Sequence, residues 1–272
     1  MKPTEMNVKP LDVVLLGAGN VATQLGMALL KNKIPVVQVY SRKIDSASAL
    51  GDRLQVPYTN LPARITPNAA VYIFCVKDDA LLPLLKSFPK NPGLWVHTAG
   101  SIPMSVFEDF SDRFGVLYPL QTFTKDRELS FKEIPLCIEA NNKADEQLLL
   151  HLARKLSRNV LPLPSEKRRY YHLAAVFACN FTNHLYALAT DILQAHQLDR
   201  RYLEPLILET ALKIKDLSPQ QAQTGPAVRY DRKIMDAHLR LLHDDTMKQK
   251  IYRLISQSIH DCAVLNINSE IK

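Results

Sequence analysis

The sequence predicts a doubly wound α/β domain over residues 10–164 followed by an all-α domain over residues 165–272. Three observations carry this. Six short runs rich in β-branched residues alternate with helical segments up to about residue 165, the alternation expected of a parallel sheet. Several of those runs are apolar at consecutive positions, which strands covered on both faces by crossover helices require. From Ser165 onward only helical periodicity remains, broken at Pro205, Pro219 and Pro226. At 272 residues the chain can bury a full core, and two domains are the expected division.

The strand candidates are LDVVLLG (11–17), IPVVQVY (34–40), AAVYIFCV (69–76), GLWVHTA (93–99), FGVLYPL (114–120) and IPLCIEA (134–140). The texture changes after NVLPLP (159–164). A first long helix is expected from Ser165, as N-cap with Glu166 just inside, to His196, whether unbroken or interrupted. A helix of that length suits the spine of a substrate or dimerisation domain.

Composition excludes several classes. The chain is 47% hydrophobic and 22% charged, and no apolar run approaches the roughly 18 residues of a membrane span. The segment before the first strand shows no signal-peptide pattern, so a cytoplasmic location is expected. Cys75, Cys137, Cys179 and Cys262 lie far apart in apolar segments without metal-ligand spacing, which reads as reduced core thiols and no metal site. The net charge of +7 is spread evenly, with 19 basic and 15 acidic residues up to Pro164 and 15 and 12 after it. With no basic arm, an anionic small ligand fits better than nucleic acid.

The run VVLLGAGNVATQLGMALL places Gly17, Gly19 and Ala22 in a G-x-G-x-x-A pattern between a strand and a helix. Gly17 permits a tight turn, Gly19 lets a pyrophosphate approach the backbone, and Ala22 allows close helix-on-strand packing, while the helix N-terminus supplies amides. This is the fingerprint of a dinucleotide-binding Rossmann domain. The end of the second strand selects between cofactors: NAD enzymes place a carboxylate there for the ribose hydroxyls, whereas this chain has Ser41, Arg42 and Lys43, which favour the 2′-phosphate of NADP. Cofactor-binding candidates are therefore Gly17, Ala18, Gly19, Asn20, Val21, Ala22, Ser41 and Arg42. Val76 and Lys77 join them from the third strand end, and His97 and Ala99 from HTAGS (97–101), whose small residues suit a flat nicotinamide ring. Asp78 or Asp79 is expected to cap the next helix in preference to binding, His97 is open to a structural role, and Ser101 reads as a helix cap.

Hydride transfer to a carbonyl or imine needs a proton donor and orienting groups. At roughly 100° per residue, Asn183 returns to within about 20° of His172 on the long helix, with Asn180 about 80° away. One broad apolar face would then carry three polar residues, as a pocket lining does. In TGPAVRYD (224–231), Gly225 and Pro226 end one helix and Asp231 can cap the next, which leaves Arg229 to bind a substrate carboxylate or phosphate.

Together GAGNVA, the Ser41-Arg42 pair, HTAGS, YPLQTF (118–123), YHLAAVFACNFTNHL (171–185) and TGPAVRYD resemble a family of bacterial Rossmann-like NADP oxidoreductases. That family is related to pyrroline-5-carboxylate reductase, ketopantoate reductase and the 6-phosphogluconate dehydrogenase-like group. The resemblance spans nearly the whole chain and implies a helical C-terminal domain of the 6-phosphogluconate dehydrogenase type that dimerises and closes the active-site cleft. One departure matters: the β-hydroxyacid dehydrogenase and ketopantoate reductase relatives carry a catalytic lysine one turn before an asparagine, where this chain has Val176 before Asn180. No lysine occurs from Tyr170 to Tyr202, so His172 is the nearest ionisable substitute. The expected activity is reduction of a small anionic carbonyl or imine by NADPH. His172 would donate the proton, Asn180 and Asn183 would orient the substrate, and Arg229 would anchor it. The alternative is a nonenzymatic NADP(H)-binding sensor or assembly protein, to be told apart by whether an open pocket joins His172 to the nicotinamide loop.

Overall fold

The computed structural model describes residues 11–270, which divide by compactness into two units, the first ending at Asn180 and the second beginning at Phe181. The first unit is built on an eight-stranded sheet of order β3-β2-β1-β4-β5-β6-β7-β8. Its strands are β1 (Val13–Leu16), β2 (Val36–Tyr40), β3 (Tyr58–Thr59), β4 (Val71–Phe74), β5 (Leu94–His97), β6 (Phe114–Pro119), β7 (Leu136–Ala140) and β8 (Val160–Pro162). The helices are α1 (Asn20–Lys31), α2 (Ile44–Leu54), α3 (Asp78–Ser87), α4 (Lys143–Leu156) and α5 (Ser165–Ala175).

The consecutive apolar runs do serve two faces. Val13 and Leu15 of β1 and Val71 and Ile73 of β4 enter one core with Leu25 and Leu29 of α1, Leu50 of α2 and Leu149 of α4. The alternate residues Val14, Leu16, Tyr72 and Phe74 enter a second core with Leu81 and Leu85 of α3, Trp95 and Phe107. Each fully buried side chain of this kind contributes roughly 1.5–3 kcal/mol, so both faces hold the sheet.

The structure corrects the sheet in two respects. β7 runs antiparallel to β6, pairing Gly115 with Ala140 through Pro119 with Leu136. The connection between them has no α-helix, only a 3-10 turn at Phe131–Glu133, and without a crossover helix the chain returns antiparallel. Two short strands, β3 and β8, were not expected; they lie at the sheet edges, and β8 ends on Pro162, which such a position tolerates.

The long helix is interrupted. After α5 comes a π-helical turn, Val176–Phe181, and then α6 (Thr182–Ala195). The second unit continues through α7 (Glu204–Lys213), α8 (Pro219–Ala222), α9 (Arg232–Leu241) and α10 (Thr246–Glu270). Asp231 caps α9 as expected, its Oδ1 accepting from the Ile234 amide at 3.2 Å. Among the described residues no helix is long and apolar enough to cross a membrane.

Candidate active site

The first cleft forms where β1 meets α1. Gly17 takes φ 125°, and a Cβ there would lie 2.3 Å from the Cys75 carbonyl oxygen, so the turn admits glycine only. A Cβ at Gly19 would meet nothing within 4 Å, because the cleft itself opens there. No side chain caps α1 and no acid stands in its first turn, which leaves the first-turn amides and their partial positive charge for a ligand. Ala22 is fully buried against the sheet, the packing role its size predicts. The cleft, of about 300 Å³, is lined by Gly17, Ala18, Gly19, Ser41, Val76 and four cations, Arg42, Lys43, Lys77 and Lys125, with no carboxylate. Amides at a helix start and four cations fit a dinucleotide that carries an extra phosphate.

Cys75 and Val76 also line a second cleft of about 660 Å³, so the two adjoin. Val21, Thr98, Ala99, Gly100, Tyr118, His172, Cys179 and Asn180 line this second space. His172 Nδ1 lies 3.0 Å from the Tyr118 hydroxyl, with the rings edge to face at 75°. Burial, helped by neighbouring Cys137, pushes the Tyr118 phenol up to about 12, so it keeps its proton at neutral pH. The Cys75 thiol is likewise pushed up to about 12 by burial, against a hydrogen bond with Thr98, and is no nucleophile. Gly100 explains how the histidine comes so near the loop: a Cβ at this position would lie 2.6 Å from the His172 ring.

α5 is fixed one turn before His172. Arg168 is 1% exposed; its Nη1 donates to Glu139 Oε2 on β7 at 2.7 Å, and its Nη2 to the Ile102 carbonyl at 2.5 Å and Ser165 Oγ at 3.1 Å. Ser165 adds a bond from its amide to Glu139 Oε1 at 3.0 Å. The start of α5 is thereby bolted to the sheet, and His172, four residues beyond Arg168, shares its side of the helix.

Several expected placements change. His97 is 1% exposed and lines neither cleft: it sits two residues from Trp95 on the same side of β5, its ring packs on Phe107, and Nδ1 accepts from the Ala99 amide at 3.1 Å. Burial, with the Arg168 charge adding and the Pro103 carbonyl opposing, pulls its pKa down to about 3. Of the pair His97 and Ala99, only Ala99 reaches a cleft. The Asn20 side chain is also diverted, donating to the Phe123 carbonyl at 2.8 Å. Asp78 and Asp79 do not cap α3, whose N-cap is Lys77; Asp78 instead accepts from Ser101 Oγ at 2.5 Å, which removes the capping role of Ser101 too. Ser165 is the first residue of α5, not its cap, because its hydroxyl is committed to Glu139. Only Cys75 and Cys137 are buried thiols; Cys179 and Cys262 are exposed.

The π-helical turn also voids the uniform 100° spacing, since i→i+5 bonding inserts extra backbone per turn. His172 and Asn180 nevertheless line one cleft. Asn183 on α6 and Arg229 before α9 are exposed side chains of the second unit. No functional role was expected for Tyr118, Gly100 or Lys125. Tyr118 and Gly100 stood inside quoted motifs, whereas nothing local marked Lys125, more than eighty residues from Arg42 and Lys43.

The chain is 47% identical to a putative NADP oxidoreductase from Bacteroides fragilis, over 92% of this chain and 98% of that one, with a TM-score of 0.88. The chain belongs to this NADP oxidoreductase family. A family model described as a domain of unknown function, DUF2520, matches residues 134–259 of this family member. A Thermotoga maritima protein at 20% identity (92% of this chain, 99% of that, TM-score 0.78) shares the fold. So does a Myxococcus stipitatus imine reductase in complex with NADP+ at 14% identity (95% and 94%, TM-score 0.64). No curated protein matches the chain.

Proposed function

We propose that this protein is an NADP-dependent reductase of a small, anionic carbonyl or imine compound, with His172 as proton donor. The observation that carries the reading is the adjoining pair of clefts: a cation-lined dinucleotide site meets, at Cys75 and Val76, an open space that contains His172. An open space reaching His172 favours the enzyme over the sensor, which needs none.

NADPH, when bound, supplies the hydride. The first-turn amides of α1 hold its pyrophosphate, Ser41 and Arg42 its 2′-phosphate, and Ala99 and Gly100 leave room for a flat ring. In the protonated histidine Nδ1 would donate to the Tyr118 hydroxyl, which orients the ring, and Nε2 would give its proton to the reduced heteroatom, leaving neutral imidazole. Asn180, in the same cleft, orients the substrate by hydrogen bonds. For Asn183 and Arg229, the roles of orienting the substrate and holding its anionic group rest on residue type.

We also assign a homodimer formed through the second unit. Tyr202 is 86% exposed, Leu241 74%, Leu254 73% and Leu265 68%, large apolar side chains that a partner surface would cover. A two-fold interface uses the same face on both copies, so a second chain is the occupant that fits. The absence of a membrane-spanning helix among the described residues accords with a cytoplasmic site of action.

The test is a titration with NADPH and NADH followed by nicotinamide fluorescence, then a screen of keto acids and cyclic imines for NADPH consumption. Preferential NADPH binding and turnover that His172→Gln abolishes, with NADPH binding retained, are expected. Equal or absent binding of both nucleotides overturns the cofactor reading, and full turnover in His172→Gln overturns the proton donor.

A further inference from the structure

The connection between β6 and β7 does more than reverse the chain. Residues 121–130 lie along α1, and the helix holds them by their backbone. Gln24, 5% exposed in the middle of α1, directs its side-chain amide at three carbonyls of this segment: Thr124 at 2.6 Å, Lys125 at 3.3 Å and Arg127 at 2.9 Å. Asn20 donates to the Phe123 carbonyl at 2.8 Å, and the Phe123 ring stacks on buried Phe131 with centroids 5.7 Å apart. Arg53 of α2 approaches the Lys125 carbonyl at 3.5 Å, and Lys31 pairs with Glu128 at 3.5 Å. The two surface contacts at 3.5 Å add little, but the buried amide and the stacked rings set the position.

A buried side-chain amide spent on three carbonyls of one loop is costly to replace, and its effect is to fix where the Lys125 backbone sits. From there the Lys125 side chain lines the dinucleotide cleft together with Ser41, Arg42, Lys43 and Ser46. Ser41, Arg42, Lys43 and Ser46 belong to the turn after β2 and the first turn of α2, so sharing their cleft puts Lys125 on its adenosine side.

We propose that residues 121–130 form a fixed strap across α1 that delivers Lys125 as a recognition residue for the ribose 2′-phosphate of NADP. The inference rests on the proposed cofactor reading and deepens it: discrimination between NADP and NAD is shared between the turn after β2 and a distant loop. A lysine ammonium suits this task as a point charge, adding to the fork of Arg42 without needing a fixed approach angle. Gln24 acts through the strap and is a positioning residue.

Dissociation constants of NADPH and NADH, measured by nicotinamide fluorescence on the full chain for wild type, Lys125→Ala, Lys125→Glu and Gln24→Leu, test the idea. Lys125→Ala is expected to weaken NADPH about tenfold, the size of one charge-assisted contact, and to leave NADH within about twofold. Lys125→Glu is expected to weaken NADPH further and spare NADH. Gln24→Leu, checked for an unchanged circular dichroism spectrum, is expected to show the same selective loss in smaller measure. Equal weakening of both nucleotides, or unchanged NADPH affinity, in Lys125→Ala overturns the assignment while leaving the cofactor reading intact. A wild-type chain that binds neither nucleotide overturns both.

Discussion

In the first unit β1, β4, β5 and β6 bury every residue they contain, and two cores account for nearly all the large apolar side chains of the sheet. In the second unit Ala227 and Leu239 are the only buried hydrophobic residues among those described, while α6, α7 and α8 have none. The two units are similar in apolar character but solve opposite problems. A parallel sheet with helices on both faces closes its own core, whereas a string of helices leaves apolar stripes that only a further surface can cover. Stability in the first unit is therefore a property of one chain, whereas under the proposed homodimer stability in the second is expected to rise with concentration.

The sharpest way to break this comparison is to remove a buried charge from the first unit. Arg168→Met leaves Glu139 without its cationic partner, and a loss of about 3–5 kcal/mol is expected, measured by urea unfolding and the same at every protein concentration. A loss that shrinks as the protein is concentrated would mean that the first unit also leans on assembly.

The complementary variant strikes the second unit. Leu241→Asp combined with Leu254→Asp is expected to turn the proposed dimer into a monomer in sedimentation velocity, and to abolish the rise of thermal midpoint with concentration expected of wild type. NADPH affinity, set by first-unit residues, is expected to stay unchanged. If wild type itself sediments as a monomer, the exposed stripes require another explanation.

A smaller effect is expected at the meeting of Gly100 and His172. Gly100→Ala forces the ring or loop to move, at a cost of about 1–3 kcal/mol, and the movement is expected to appear as lower turnover with near-normal NADPH binding. Equal loss of both would place Gly100 in general folding.

The last effect is absent at neutral pH and develops only in acid. His97 titrates at about 3 in the folded chain against 6.5 for the ordinary side chain, so the unfolded chain takes up the proton first. Its contribution is complete above pH 6.5 and is lost as pH falls towards 3, by at most about 1.4 kcal/mol per pH unit. His97→Gln is expected to flatten acid unfolding over that window, and an unaltered slope would show that other groups govern it.

The sequence by itself determined what depends on nearest neighbours and local spacing. Consecutive apolar residues announced strands buried on both faces, Gly17 and Gly19 announced the turn at the head of α1, Ser41-Arg42 announced the charge of the ligand, and Asp231 announced the start of α9. The tertiary structure alone decided what depends on residues distant in the chain. It turned His97 into the core, spent the Ser165 hydroxyl on Glu139, paired Asp78 with Ser101, and set Tyr118 against His172 across fifty-four positions. It also brought Lys125 to the cations after β2 through the carbonyls that Gln24 holds. The π-helical turn belongs to the same group, since the switch from i→i+4 to i→i+5 bonding leaves no composition that a wheel of 3.6 residues can detect. Local spacing fixes periodicity and turn chemistry because sterics act over a few residues. Which polar atom finds which partner is decided only when the packed chain excludes water and each buried donor must be satisfied.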